Sequence, residues 1–211
     1  MTDNYRAVLE QARHAFAEKD PAAMAQACGA GLQFYPPFSL REITLPYLGQ
    51  FYRAAWPTGE VTNYGSQDEA SLPASLVILH YLCRGRGTLP TGKWIGFPDL
   101  WGGQSFRAAF ESRALQPLGK IFHRRWNLFA ASMEQLGGRP ARDFARGYLL
   151  FSLPRVPVLC LLNPGDEEVP TRGNLLFDAT ANDYLETEDL AVLGEMLTLR
   201  LMRLVEKDKK P

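Results

Sequence analysis

Gly147-Tyr-Leu-Leu-Phe-Ser-Leu153-Pro-Arg-Val156-Pro-Val-Leu-Cys-Leu-Leu162 is the stretch whose reading decides the fold class. Two short apolar runs separated by Pro154-Arg155 read as two strands packed on a core, and Gly173-Asn-Leu-Leu-Phe-Asp178 adds a third. The period then changes to that of a helix, which closes the chain from Thr187 to Val205, with Thr187 as its N-cap and Glu188 and Asp189 at the positive helix end. Upstream lie two helical patterns, at about 104–116 and 124–136, stopped by Gly137-Gly138. Before them the segment from Gly85 to Gly103 reads as loop, with six glycines and two prolines around Trp94, Phe97 and Trp101.

Further out, Leu-Pro-Ala-Ser-Leu-Val-Ile-Leu-His-Tyr-Leu-Cys-Arg-Gly (72–85) predicts a helix capped by Ser66 or Asp68. Leu72, Leu76, Leu79 and Cys83 share one face, while Val77, Ile78, Tyr81 and Leu82 cover much of the rest. A helix apolar nearly all round belongs in the middle of a fold. From Leu32 to Thr62 short runs punctuated by proline and glycine predict a small antiparallel sheet, with residues 49–56 its clearest strand. Residues 4–18 predict a first helix. Asp20-Pro21 pairs an N-cap with proline at the first helical position, predicting a second helix to about Cys28. The expectation is α+β: small antiparallel sheets packed against a buried central helix and a long C-terminal helix. It takes 1–211 as a single domain, with N-terminal helices in 1–28, a core in 32–201 and a solvated tail.

Composition excludes several classes. With 46% apolar and 22% charged residues, the 211-residue chain is neither disordered, collagen-like nor a coiled coil. Twenty-three basic residues balance twenty-three acidic ones, so no net field draws it to nucleic acid or an anionic membrane. Three cysteines at positions 28, 83 and 160 form no closed disulfide framework and match no metal spacing. The N-terminus lacks the apolar stretch of a secretory signal, and Val156–Leu162 is far short of the roughly 20 residues of a membrane span. A cytoplasmic protein with reduced thiols is expected.

Gly87-Thr-Leu-Pro-Thr-Gly92-Lys93-Trp94 nearly spells a phosphate-binding loop. Trp94 replaces the hydroxyl that ligates magnesium, and Pro90 removes an amide, so the match is rejected. The acids of Gly165-Asp166-Glu167-Glu168 have the oxygen chemistry of a divalent-cation site, but adjacent acids beside Asn163-Pro164-Gly165 also make an ordinary solvated turn. Of three histidines, His14 lies on the polar side of the first helix and His123 in a basic edge. His80, inside the most apolar helix, is either a core imidazole satisfied by the chain or a ligand to a bound group. Trp94, Phe97 and Trp101 are either the lid of a pocket for a flat guest or a patch that pins a floppy loop. Between Trp101 and Arg146 eight basic residues, Arg107 among them, face three acids, whereas between Asp166 and Glu195 nine acids face Arg172 alone. The basic stretch has the chemistry to hold carboxylates or phosphates.

Taken together, residues 76–85, 91–103, 152–170 and 173–197 resemble the hallmark segments of the DUF3786 family, with likeness running from about Phe34 to Leu201. The resemblance implies a shared fold and a context in anaerobic bacteria and archaea, close to corrinoid or one-carbon metabolism. Some family members carry an N-terminal iron–sulfur domain, for which this chain lacks the cysteines. The family supplies no catalytic residue to carry over.

Three functions compete. The first is a binding protein for a planar cofactor, a tetrapyrrole or corrinoid, held by His80, Trp94, Phe97 and Trp101 with arginines meeting its carboxylates. The second is an enzyme using Asp166 and Glu167, with Asp178, for acid–base or metal chemistry. The third is an accessory factor that docks on another protein through an exposed apolar patch.

Overall fold

Asp20 accepts a hydrogen bond from the Ala23 N–H at 2.8 Å, and Pro21 opens the helix behind it, so this boundary follows from capping chemistry alone. The structure is a computed structural model that describes residues 2–35, 40–165 and 169–207, without the side chains of 2–5 and 40. Its contacts cluster into two compact units. The first holds residues 1–89 with 153–155 and 183–185, and the second holds the rest.

In the first unit, α1 (Thr2–Ala17) and α2 (Pro21–Cys28) precede a four-stranded antiparallel meander. Its strands are β1 (Gly31–Tyr35), β2 (Leu40–Tyr47), β3 (Gln50–Trp56) and β4 (Glu60–Asn63), followed by α3 (Leu72–Arg84). The register sets Ile43 opposite Ala54 and Ala54 opposite Val61, which puts these buried side chains on one face. α1 and α2 both pack on α3, and Val77, Ile78, Leu79 and Leu82 of α3 are buried, as the apolar pattern predicts for a central helix. The cap differs from expectation. Ser71, not Ser66 or Asp68, occupies the N-cap position and gives no side-chain bond; Pro73 in the first turn has no N–H to offer it. Tyr81 ties this unit together: its hydroxyl donates to the Cys28 carbonyl at 2.6 Å and accepts from the Arg155 N–H at 3.0 Å. Its ring stacks on Tyr184.

The second unit carries a five-stranded sheet in the order β5-β9-β8-β7-β6. The strands are β5 (Trp94–Gly96), β6 (Arg139–Pro140), β7 (Gly147–Leu153), β8 (Val156–Asn163) and β9 (Arg172–Asp178). β8, the most apolar run in the sequence, is the central strand and buried on both faces over most of its length. Helices α4 (Gly103–Phe110), α5 (Gln116–Ile121), α6 (Trp126–Gln135) and α7 (Thr187–Lys207) complete the unit. Leu190, Leu193, Leu197, Leu201 and Val205 form the buried stripe of α7. No helix among the described residues is long and apolar enough to cross a membrane.

The helix expected over 104–116 is interrupted. Glu111–Leu115 is a single π-helical turn, closed by a bond from the Gln116 N–H to the Glu111 carbonyl, and α5 continues directly from it. Thr187 is the first residue of α7 rather than its N-cap: the opening helical bond runs from the Leu190 N–H to the Glu186 carbonyl, and the Thr187 hydroxyl instead bonds the Trp101 carbonyl and accepts from the Asn182 amide. Its side chain thus holds the aromatic loop.

Candidate functional site

The segment read as loop between Gly85 and Gly103 contains a strand. Trp94, Ile95 and Gly96 pair with Asp178, Phe177 and Leu176, so β5 forms the sheet edge and fixes where the aromatic side chains emerge. Asp178, at the end of β9, is fully buried. It accepts from the main-chain N–H groups of Thr91, Gly92 and Thr180 and from the hydroxyls of Thr91 and Thr180. Burial alone would raise its carboxyl, but the bonds from Thr180, Thr91 and Gly92 outweigh that and hold it below the ordinary carboxylate range. The phosphate-loop-like segment thus meets an anion after all, the chain's own carboxylate. With its oxygens occupied by internal donors and its charge stabilised, Asp178 is poorly suited to general acid chemistry.

The four residues expected around a guest have different surroundings. Phe97 is buried, its ring stacked on Phe110 at 3.9 Å and meeting Phe177 edge-on, which makes it part of the core. A Cβ on Gly103 would lie 2.1 Å from the Phe97 carbonyl, so only glycine lets α4 start this close to the turn. Trp94 is half-buried in β5. Trp101 is 83% exposed, with its N–H held by Asn182 and its carbonyl by Thr187. His80 is half-buried on α3, in the first unit, whereas the aromatic three belong to the second. Asp166 and Glu167 lie outside the described residues. Among the described residues no group of three or more histidines, cysteines and acids stands close enough to hold a metal.

Among the described residues of the second unit, two clefts stand out. The larger, about 370 Å³, is lined by Lys120, Ile121, His123, Arg125, Met202, Val205 and Glu206. His123 Nδ1 lies 3.0 Å from the Thr171 hydroxyl and accepts from the Thr171 N–H, which places the proton of a neutral ring on Nε2. Lys120 and Arg125 are offset there by Glu206 and by the negative C-terminal ends of α5 and α7, so this cleft has no strong preference for either sign.

The smaller cleft, about 220 Å³, is lined by Gly96, Phe97, Pro98, Arg107, Phe110, Glu111, Leu115 and Asn174. Its origin is in the sheet register. β5 reaches only Leu176 on β9, leaving Asn174 two residues past the last pair, and the chain turns away through Phe97–Asp99. The stacked Phe97 and Phe110 contribute apolar lining, and the π-helical turn brings Glu111 and Leu115 to the cleft. Arg107 Nε donates to Glu111 Oε1 at 2.8 Å, and that bond raises the guanidinium's proton affinity. Within a helix the Arg-before-Glu order is the less favourable one for such a pair. π-helical turns are rare and concentrate at functional sites. Of the cleft's lining, sequence reading singled out Phe97 and counted Arg107 in the basic stretch. Glu111, Leu115 and Asn174 carried no signal, since residues 111–115 read as ordinary helix.

Comparison with known proteins returned no match among curated proteins and none among solved structures. A family model described as a domain of unknown function, DUF3786, matches residues 20–200. That span covers α2 through most of α7 and includes both sheets, and on it the chain belongs to the DUF3786 family.

Proposed function

We propose that this chain is a small-molecule-binding protein and that its site is the 220 Å³ cleft between Gly96–Pro98 and the π-helical turn. The observation that carries the reading is that turn: a rare backbone distortion coincides with an apolar-lined cleft bearing a cation, an anion and an amide. A volume equal to about seven waters suits a compact guest, and cofactor-sized sites begin at about 300 Å³. A tetrapyrrole or corrinoid is therefore a less natural occupant of this cleft, whose lining includes Phe97 but not His80, Trp94 or Trp101.

The test is amide-resolved NMR during titration with benzoate, indole and L-leucine, on the wild type and on Leu115→Trp, which fills the cleft. Saturable shifts at residues 96–98 and 107–115, abolished in the filled variant, are expected. Shifts absent for every compound, or unchanged in Leu115→Trp, would reject the reading. An absorbance shift on adding haem or cobalamin that His80→Ala abolishes would return the guest to the macrocycles.

A further inference from the structure

We infer that the guest of this cleft is a zwitterion, an apolar α-amino acid with an aliphatic or small aromatic side chain. This rests on the cleft being a binding site and goes further by assigning the guest's charges. Arg107 and Glu111 set a full positive and a full negative charge side by side, 2.8 Å apart, at a cavity whose other lining is largely apolar. An α-amino acid carries the complementary pair on one carbon, next to an apolar body.

The existing ion pair does not have to break to receive it. A guanidinium has five N–H donors in a planar fork, and Nε uses one toward Glu111, leaving the terminal nitrogens for a carboxylate. The Glu111 carboxylate has a second oxygen to accept from an ammonium group. The amide of Asn174 offers a further polar partner, while Phe97, Pro98, Phe110 and Leu115 line the space for the side chain. Helix stability alone is a poor account of the pair. Exposed pairs of this kind contribute up to about 1 kcal/mol, and this one has the weaker order. A simple carboxylate would leave the second Glu111 oxygen without an ammonium to meet, and a simple amine would leave the terminal nitrogens of Arg107 without a carboxylate. Each mismatch places a like charge near the guest.

The experiment compares L-leucine with 4-methylpentanoate, which lacks the ammonium, and 3-methylbutylamine, which lacks the carboxylate. Leucine is expected to bind at least tenfold more tightly than either. Arg107→Ala should weaken leucine and 4-methylpentanoate alike by about tenfold, whereas Glu111→Gln should weaken leucine and leave 4-methylpentanoate unchanged or improved. A merely structural role for Glu111 would not produce that split. If 4-methylpentanoate matches leucine and Glu111→Gln is neutral for both, the cleft is a site but the zwitterion assignment is wrong. If leucine, both analogues, benzoate and indole all leave residues 96–98 and 107–115 unperturbed, the binding reading fails with it.

Discussion

Asp178 carries its charge where there is no solvent, and five donors from three residues make that tolerable. Asparagine at this position would turn an amide toward N–H groups that need an acceptor. Asp178→Asn is expected to cost on the order of 3 kcal/mol at pH 7, measured by urea unfolding. The sign with pH follows from the lowered folded-state value. The carboxylate's contribution is complete above the unfolded value of about 3.9 and is lost as pH falls through the folded one, so the gap between wild type and variant should shrink as the solution is acidified below the unfolded value. A sequence reader can place Asp178 at a strand end capping the next turn, which its bonds to Thr180 bear out. The donors from Thr91 and Gly92 come from 87 and 86 positions away and have no local signature.

Among the elements, those set by local chemistry were readable in advance. α2 follows from Asp20-Pro21, β7 and β8 from two apolar runs with a Pro-Arg break, and α7 from its leucine stripe. β5 was not readable. Three residues, one of them glycine, have no period to detect, and they become a strand because β9 offers them an edge. The π-helical turn was equally hidden, since its residues are good helix formers and the distortion arises in packing. α7 shows how packing fixes such features. A Cβ on Gly194 would fall 2.5 Å from Phe110 Cε2, so the helix approaches Phe110 closely only because glycine stands there. Gly194→Ala is expected to destabilise by about 1–3 kcal/mol in thermal or urea unfolding. It should also push Phe110 against Phe97, narrowing the cleft and weakening any guest that Leu115→Trp excludes.

Over the molecule as a whole, the three cysteines report on folding. Cys28 and Cys160 are buried and Cys83 is half-buried. Burial pushes the Cys28 thiol up to about 12, Cys83 up to about 11, and Cys160 upward as well. At pH 8 the native protein should react slowly with a thiol reagent, and all three sulfurs should react at once in denaturant. Because the folded values are raised, the thiols' contribution to stability is complete below the unfolded value of about 8.5 and is lost as pH climbs toward 11–12. Urea midpoints should therefore decline across that alkaline window. The α+β class was visible in the alternation of periods along the chain, whereas the cleft was not, because its lining comes from three separate segments. The amides at Thr91 and Gly92 already grip a tethered acid, so a nucleotide arriving there would have to evict a group that can never diffuse away. A glycine-rich signature can in this way be a lock with its key built in, closed to the very cargo it advertises.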